Sequence, residues 1–304
     1  MKTAAIILAA GKGTRMKSSL PKVLHQVCGK AMVQIIIDNI EAAEIGKSYI
    51  VIGHGAEKVK EILGEAHQYA VQEPQLGTGH CVMQAVPAVP DDTDGVLVVC
   101  GDTPLLKAKT LAMLKDSFVQ TGAACTILTA VMENPAGYGR IIRSEAGNIV
   151  AIVEEKDATA EQKKITEVNT GTYFFDYKAL KEALANITND NAQGEYYLTD
   201  TLSYLNAKGK SIAGIISDDT DETMGVNDRA NLAKADRLLR LRKNNQLMAA
   251  GVTLIDPQAT YIDLDVEIGQ DTVIHPNCHL RGKTKIGCGC TLDADCQITD
   301  SIIG

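Results

Sequence analysis

The 304-residue chain reads as an α/β protein. The pattern predicts a domain on a parallel sheet, a mixed-sheet insertion within it, and the start of a β-helix at the carboxyl end. Three observations carry this. Short apolar runs alternate with helical patterns through the first two-thirds. From Asn134 the runs become strand-like segments joined by polar turns. After Gly251 aliphatic residues return at every sixth position.

The apolar runs Thr3–Leu8, Ser48–Ile52, Gly95–Cys100 and Cys125–Val131 are expected strands. Ala31–Ala43, Ala56–Gly64, His80–Ala88 and Lys107–Gln120 are expected helices between them. Near-continuous apolar strands alternating with helices imply a parallel sheet covered on both faces. Ligands of such sheets sit beyond the carboxyl ends of the strands, so the loops after Leu8 and Cys100 are the first candidates. Gly139–Ser144, Asn148–Glu154 and Val168–Phe175 predict the insertion's strands. Glu195–Ala207 and Asn227–Ala249 predict helices. The second carries Arg237, Arg240, Arg242 and Lys243, better read as a solvated face than as an anion site.

In the last part, Ile262, Ile268, Ile274, Leu280, Ile286, Leu292 and Ile298 keep a six-residue period. Small or β-branched residues (Thr260, Val266, Thr272, Cys278, Thr284, Cys290, Cys296) stand two positions before each. A hexapeptide β-helix explains this, because each short face sends one aliphatic side chain into a narrow prism. The same register explains the late cysteines, whose spacing with His275 and His279 fits no common zinc pattern. The repeat reaches Gly304 without a polar cap. Repeat folds need caps or further stacking. The expectation is therefore a fragment of a longer natural protein. The domains expected are 1–226, a linker helix at 227–250, and a partial β-helix at 251–304.

Composition narrows the function. Apolar residues are 45% and charged residues 22%, as in a folded globular chain. The net charge of −8, with no Trp and 4% aromatics, argues against a nucleic-acid partner. No apolar run reaches the ~20 residues of a membrane span, and the short first run is not followed by a clear cleavage site. The 8 Cys include no Cys-x-x-Cys and suit reduced thiols in a cytoplasm.

The first loop is Leu8-Ala9-Ala10-Gly11-Lys12-Gly13-Thr14-Arg15-Met16, followed by Pro21-Lys22. It lacks the Gly-Lys-Ser/Thr ending of a Walker loop, and Met16 stands where a dinucleotide fingerprint has its third glycine. Small residues let backbone N–H groups approach an anion, and Arg15 and Lys22 add cations suited to a polyphosphate. Asp102 follows the strand ending Val98-Val99-Cys100, at the sheet's ligand edge. It is the metal candidate; the alternative is an Asp opening a turn before Pro104.

These residues resemble the sugar-1-phosphate nucleotidylyltransferases, whose signature is similar to LAAGxGTRM followed by PK. Further segments carry the likeness: Gln72-Glu73, Leu76–His80, Gly101–Leu105, Gly137–Arg140, Val153-Glu154, Asn169–Gly171, Asn191–Asp200 and Gly225–Asn227. Together with the hexapeptide tail, they resemble the bacterial bifunctional enzymes joining N-acetylglucosamine-1-phosphate uridylyltransferase to glucosamine-1-phosphate N-acetyltransferase. The resemblance implies a Rossmann-like, GT-A-like nucleotidyltransferase domain with a mixed sheet, then a left-handed parallel β-helix. It implies Mg2+-dependent reaction of UTP with N-acetylglucosamine 1-phosphate to give UDP-N-acetylglucosamine and pyrophosphate. It also implies a cytoplasmic enzyme, homotrimeric at full length, supplying cell-wall and lipopolysaccharide precursors. The acetyltransferase half is expected to be absent from this chain.

By the same resemblance, Arg15, Lys22 and Asp102 are catalytic, and Asp102 and Asn227 hold the metal. Leu8, Ala9, Ala10, Gly11, Gln72, Gly77, Thr78, Cys100 and Gly101 meet the nucleotide. Gly139, Glu154 and Asn169 meet the sugar. Asn227 also fits a helix N-cap. A Gln amide can donate and accept at a pyrimidine edge. Cys100 departs from the Tyr usual in the family; in-line attack on phosphorus requires no protein nucleophile there. Three other readings differ in class or substrate: a relative using another sugar or nucleotide, a hexapeptide acyltransferase, and a non-catalytic sugar-nucleotide sensor.

Overall fold

The computed structural model describes residues 1–304, which divide into two compact units. The first comprises residues 1–23 and 33–225; the second comprises 24–32 and 226–304.

The first unit is built on β1 (Thr3–Ala9). Alternate residues of this strand, Ala4 and Ile6 against Ala5 and Ile7, are buried on opposite faces. The hairpin β2 (Gln26–Val27) and β3 (Lys30–Ala31) belongs to the second unit. Then come α1 (Met32–Ala42), β4 (Lys47–Ile52), α2 (Ala56–Leu63), β5 (Gln68–Val71), α3 (Thr78–Ala85) and β6 (Gly95–Cys100). β1 pairs in parallel with both β4 and β6, and β5 extends the sheet beyond β4. α4 (Ala108–Thr121) leads to β7 (Cys125–Val131), and the hairpin β8 (Arg140–Arg143) and β9 (Ile149–Val153) follows.

The long β10 (Glu167–Asp176) runs antiparallel between β6 and β7, so the sheet is mixed. Its side chains divide by parity. Phe174 meets Phe118 of α4 at a ring separation of 4.9 Å. Tyr173 and Phe175 join the opposite core with α3, α5 (Tyr177–Leu184) and α6 (Asp200–Ala207). β11 (Ile212–Ile216) closes the far edge beside β7. The nine-stranded sheet has the order β11-β7-β10-β6-β1-β4-β5, with β8 paired to β10 and β9 to β8.

Two expectations change here. The helix expected from Glu195 begins only at Asp200. The backbone before it is committed elsewhere: Tyr196 donates to Leu76 O (2.8 Å) and accepts from Gly79 N (2.7 Å). Leu198 N donates to Thr78 Oγ1 at 3.0 Å. The helix expected from Asn227 is α7 (Arg229–Ala249), and its N-cap is Asp228, which accepts from Asn231 N at 2.8 Å. Asn227 is therefore not the cap.

The second unit continues through short strands: β12 (Thr253–Leu254), β13 (Tyr261–Ile262), β14 (Glu267–Ile268), β15 (Val273–Ile274), β16 (His279–Arg281), β17 (Lys285–Ile286), β18 (Thr291–Leu292), β19 (Gln297–Thr299) and β20 (Ile302–Ile303). They form three parallel sheets, as in a β-helix whose coil is three hexads. Ile262 pairs with Leu280 and Leu280 with Ile298; Ile268 pairs with Ile286, and Ile274 with Leu292. The last step shortens, since Ile286 pairs with Ile303. Leu254, Ile262, Ile274, Leu280 and Ile286 form its core with Leu247 of α7.

The basic stretch of α7 is neither an anion site nor a wholly solvated face. The Arg240 guanidinium lies over the Tyr261 ring at 4.1 Å and donates to Gln258 O. Lys243 donates to Leu264 O (2.9 Å) and Val266 O (2.8 Å). Asn244, fully buried, donates to Pro257 O and Thr260 O. Arg237 remains exposed. The β2–β3 hairpin is bound into the same unit by Cys28 N to Asp236 (2.9 Å), Leu264 N to Cys28 O (3.1 Å) and the Lys30–Asp265 ion pair (2.6 Å).

Burial of one aliphatic residue per face makes each of them costly to truncate. Leu280→Ala is expected to destabilise the protein by about 2–5 kcal/mol. A chemical denaturation midpoint unchanged from wild type contradicts this account of the coil.

Candidate active site

The glycine turn after β1 is shaped by Gly13. Its φ of +58° is left-handed, and a Cβ there would stand 2.6 Å from Lys22 Cβ. The absence of that carbon lets Lys22 lie across the turn. Buried Met16 anchors the short 3-10 turn Thr14–Met16, while Arg15 projects exposed from it without an ion pair. The end of β6 is tied to the end of β1 by Gly101 N donating to Leu8 O at 3.0 Å. Thr103 Oγ1 donates to Cys100 O at 2.8 Å. These bonds fix the turn that carries Asp102, whose Oδ2 pairs with Lys22 Nζ. Both partners are largely buried, with 16% side-chain exposure each. A cation and a carboxylate thus meet at the carboxyl edge of the sheet.

They line a cavity of about 450 Å³ with Leu8, Ala9, Ala10, Gly11, Lys12, Val23, Gln72, Gln75, Gly77, Thr78, Cys81, Cys100 and Glu195. Ten of the expected residues therefore converge: Leu8, Ala9, Ala10, Gly11, Lys22, Gln72, Gly77, Thr78, Cys100 and Asp102. Gly101 is buried and does not line the cavity, and Arg15 stands outside it. Lys12, Val23, Gln75, Cys81 and Glu195 line it without having been singled out. Lys12 was legible as a third cation in the first loop. Glu195 was not, because its place depends on the pairing of residues 196–198 with the Leu76–Gly79 loop.

That loop forms the cavity's other wall. Gly77 has φ +105°, and a Cβ there would stand 2.6 Å from Tyr196 O and 2.9 Å from Glu195 Cβ. Only glycine fits without moving the segment. Gln72, 3% exposed, donates from Nε2 to Gly77 O at 2.9 Å. Its amide NH2 is thereby used inside the protein, and Oε1 is the atom left to meet a ligand.

A second group lies beside the cavity in the insertion. Asn169 N donates to Gly139 O at 2.9 Å. A Cβ on Gly139 would stand 3.4 Å from Glu154 Oε2 and 3.6 Å from Asn169 Cβ. Gly139, Glu154 and Asn169 are thus brought together. Asn169 Oδ1 accepts from Gly171 N and from Tyr173 O–H, both at 2.9 Å, which leaves its NH2 to donate. Glu154 accepts from Thr199 Oγ1 at 3.0 Å. Burial raises the Glu154 carboxyl above its ordinary value of 4.5, and Asp200, Asp157 and Glu195 raise it further, against the lowering by Thr199. Buried Arg140 holds the hairpin's base through the Tyr138 carbonyl and an ion pair to Glu155 at 2.7 Å.

Cys100 joins the two groups: it lines the cavity, and its Sγ lies 4.0 Å from Gly171 O. Burial pushes its thiol up to about 12, with Asp102 adding to the rise. A protonated thiol is a poor nucleophile, so this position serves as a wall.

Asn227 belongs to the second unit, just before α7. No cluster of three or more His, Cys, Asp or Glu side chains forms a metal cage anywhere in the chain, and all eight cysteines are free thiols. No helix is long and apolar enough to cross a membrane.

Comparison with known proteins agrees with this architecture. The family model described as Nucleotidyl transferase matches residues 4–223. The chain is 51% identical over 304 residues to "Bifunctional protein GlmU" of Geobacillus sp. (strain WCH70), covering all of this chain and 66% of that protein. The protein of the same name from Pediococcus pentosaceus is also 51% identical, with 65% of it covered. That from Listeria monocytogenes serovar 1/2a is 50% identical over 300 residues, covering 99% of this chain and 66% of the relative. The chain therefore spans just under two-thirds of the length of these relatives. A Bacillus anthracis structure solved with sucrose, and assigned as a glucose-1-phosphate thymidylyltransferase, superposes with a TM-score of 0.64. It covers 78% of this chain and 95% of its own, and at 20% identity the likeness concerns the fold. The family match, spanning the sheet and every cavity-lining residue, shows that the chain belongs to the nucleotidyl transferase family.

Proposed function

We propose that the chain catalyses uridylyl transfer from UTP to N-acetyl-α-D-glucosamine 1-phosphate, giving UDP-N-acetylglucosamine and pyrophosphate. The observation that carries this is the adjacency of two unlike binding groups: a cation-bearing glycine-loop cavity, and the Gly139–Glu154–Asn169 cluster across Cys100 and Gly171. The likeness, at about 50% identity, to proteins named bifunctional GlmU supports the choice of substrates.

In this reading the sugar phosphate oxygen attacks the α-phosphorus. The bond from that phosphorus to the β-phosphate oxygen breaks, and pyrophosphate leaves in line. The protein's task is positioning and charge neutralisation. Backbone at Leu8–Gly11 cradles the nucleotide. Lys22 exchanges its Asp102 partner for a phosphate oxygen, and Lys12 and Arg15 add positive charge at the loop. Gln72 accepts from the base. Glu154 accepts from sugar hydroxyls, and the Asn169 NH2 donates to the acetamido carbonyl.

Asp102 fits a hard divalent cation that keeps most of its waters and is shared with substrate phosphates, since Mg2+ rarely takes an all-protein cage. Asp102 is the residue of the first unit that would hold it, and the family resemblance names Asn227 as a second ligand. Bound there, Mg2+ would neutralise phosphate charge. We also propose a cytoplasmic enzyme that works as a homotrimer through its β-helix.

Asp102→Asn, Lys22→Ala and Arg15→Ala are each expected to lower turnover by about 10²–10³-fold while the protein stays folded. Pyrophosphate release, coupled through pyrophosphatase, reads this. Near-wild-type rates in the folded variants contradict the assignment. Equal rates with glucose 1-phosphate and N-acetylglucosamine 1-phosphate contradict the role of Asn169.

The raised Glu154 carboxyl gives a second test. A folded-state pKa above the unfolded one means that ionised Glu154 costs stability at neutral pH and that the cost fades on acidification. Glu154→Gln is expected to melt above wild type at pH 7, with the gain vanishing as pH falls through the raised carboxyl pKa. Its KM for the sugar phosphate is expected to rise. A lower melting temperature at pH 7, or an unchanged KM, contradicts this.

A further inference from the structure

We infer that His80 is a positioning residue that sets the polarity of the Gln72 amide and so determines which base the cavity accepts. The inference rests on the nucleotide-binding reading above and names a specificity device within that site.

Gln72 can face a base with either its oxygen or its NH2. Two contacts decide which. Gly77 O, an acceptor only, lies 2.9 Å from Gln72 Nε2. His80 Nδ1 lies 3.2 Å from the same nitrogen. One NH2 group donates to both when Nδ1 carries the lone pair, which places the His80 proton on Nε2. Gln84 Nε2 stands 3.1 Å from that nitrogen, donor facing donor in this tautomer. Its other contact, to the His80 carbonyl, is longer at 3.3 Å. The Gln72 anchor at 2.9 Å is the shorter of the two, so the Gln84 amide is the one that turns over, giving up its carbonyl bond to present its oxygen to the ring. The chain Gly77–Gln72–His80–Gln84 then has a single consistent direction, and Gln72 Oε1 faces the cavity.

The placement is built into the fold. His80 and Gln84 sit one turn apart on α3, so both point to the same side. Gly77 is held by its contact with Tyr196, whose ring lies 6.4 Å from that of His80. Gln72 is 3% exposed, so an amide turned the wrong way would leave its NH2 unpaired and its oxygen against the Gly77 carbonyl.

An acceptor fixed at this edge matches a base that presents a ring N–H. Uracil and thymine do; cytosine and adenine present a lone pair in the corresponding place. Among pyrimidine nucleotides the class selected is thus the one with an imino proton, and rejection of cytosine follows from opposed lone pairs rather than from size.

The test compares kcat/KM for UTP and CTP, at fixed N-acetylglucosamine 1-phosphate, in wild type, His80→Ala and His80→Phe. Phe keeps the ring's bulk and removes the acceptor. Wild type is expected to favour UTP. Both variants are expected to lose at least about fivefold of that preference, with the KM for the sugar phosphate unchanged. Loss of preference in His80→Ala alone assigns the effect to packing and overturns the inference, as does full preference in both variants. Where either variant fails to fold, wild-type binding of N3-methyl-UTP decides. Binding as tight as UTP overturns the inference, and a loss of at least about fivefold supports it. A wild type that turns over neither nucleotide counts against the proposed function itself.

Discussion

A lysine and an aspartate must reach one point at the mouth of the first sheet, and the rest of the site depends on how they get there. Lys22 arrives because Gly13 has no Cβ to stand in its way. Asp102 arrives because β6 ends level with β1, fixed by the bond from Gly101 N to Leu8 O. Each satisfies the other in a largely buried setting, where an unpaired charge would be costly. A polyphosphate and a hard cation would replace that pair with stronger partners of the same signs. In the function proposed here, the ion pair is the resting form of a charge arrangement that takes up those ligands.

The opposite wall obeys a different constraint, which is backbone crowding. Gly77 and Gly79 lie so close to Tyr196 that side chains on either would strike its carbonyl. That closeness lets residues 196–198 bond to the loop, which brings Glu195 to the cavity and sets where α6 begins. The Gly139–Glu154–Asn169 cluster is linked to the same framework, since Thr199 bonds Glu154. The loop wall and that cluster therefore share one short segment. Charge sits on one side of the cavity and directional hydrogen bonds on the other, a division suited to holding a nucleotide by its phosphates and reading it by its base.

The strands with continuous apolar runs were legible because burial on both faces leaves no choice of residue: β1, β4, β6 and β7 stand within a residue or so of expectation. The six-residue period was equally direct. β5 was not legible, since its QYAV carries no apolar run and lies at the sheet edge. The Glu195–Thr199 stretch read as helix because its local pattern resembles one; its bonds to the Leu76–Gly79 loop are non-local and override it. The role of α7's basic residues was hidden for the same reason: carbonyls and a Tyr ring distant in sequence accept Arg240 and Lys243. Within the site, residue types and their order on the sheet could be read in advance. The partition of each amide's donors and acceptors, as at Gln72 and Asn169, could not.

The most direct test of the central claim is a crystal structure of the protein with UTP and Mg2+. The account predicts the triphosphate between the Leu8–Gly11 turn and Lys22, the base at Gln72 Oε1, and Lys22 Nζ moved from Asp102 to a phosphate oxygen. A nucleotide bound elsewhere, with the Lys22–Asp102 pair still closed, would contradict it.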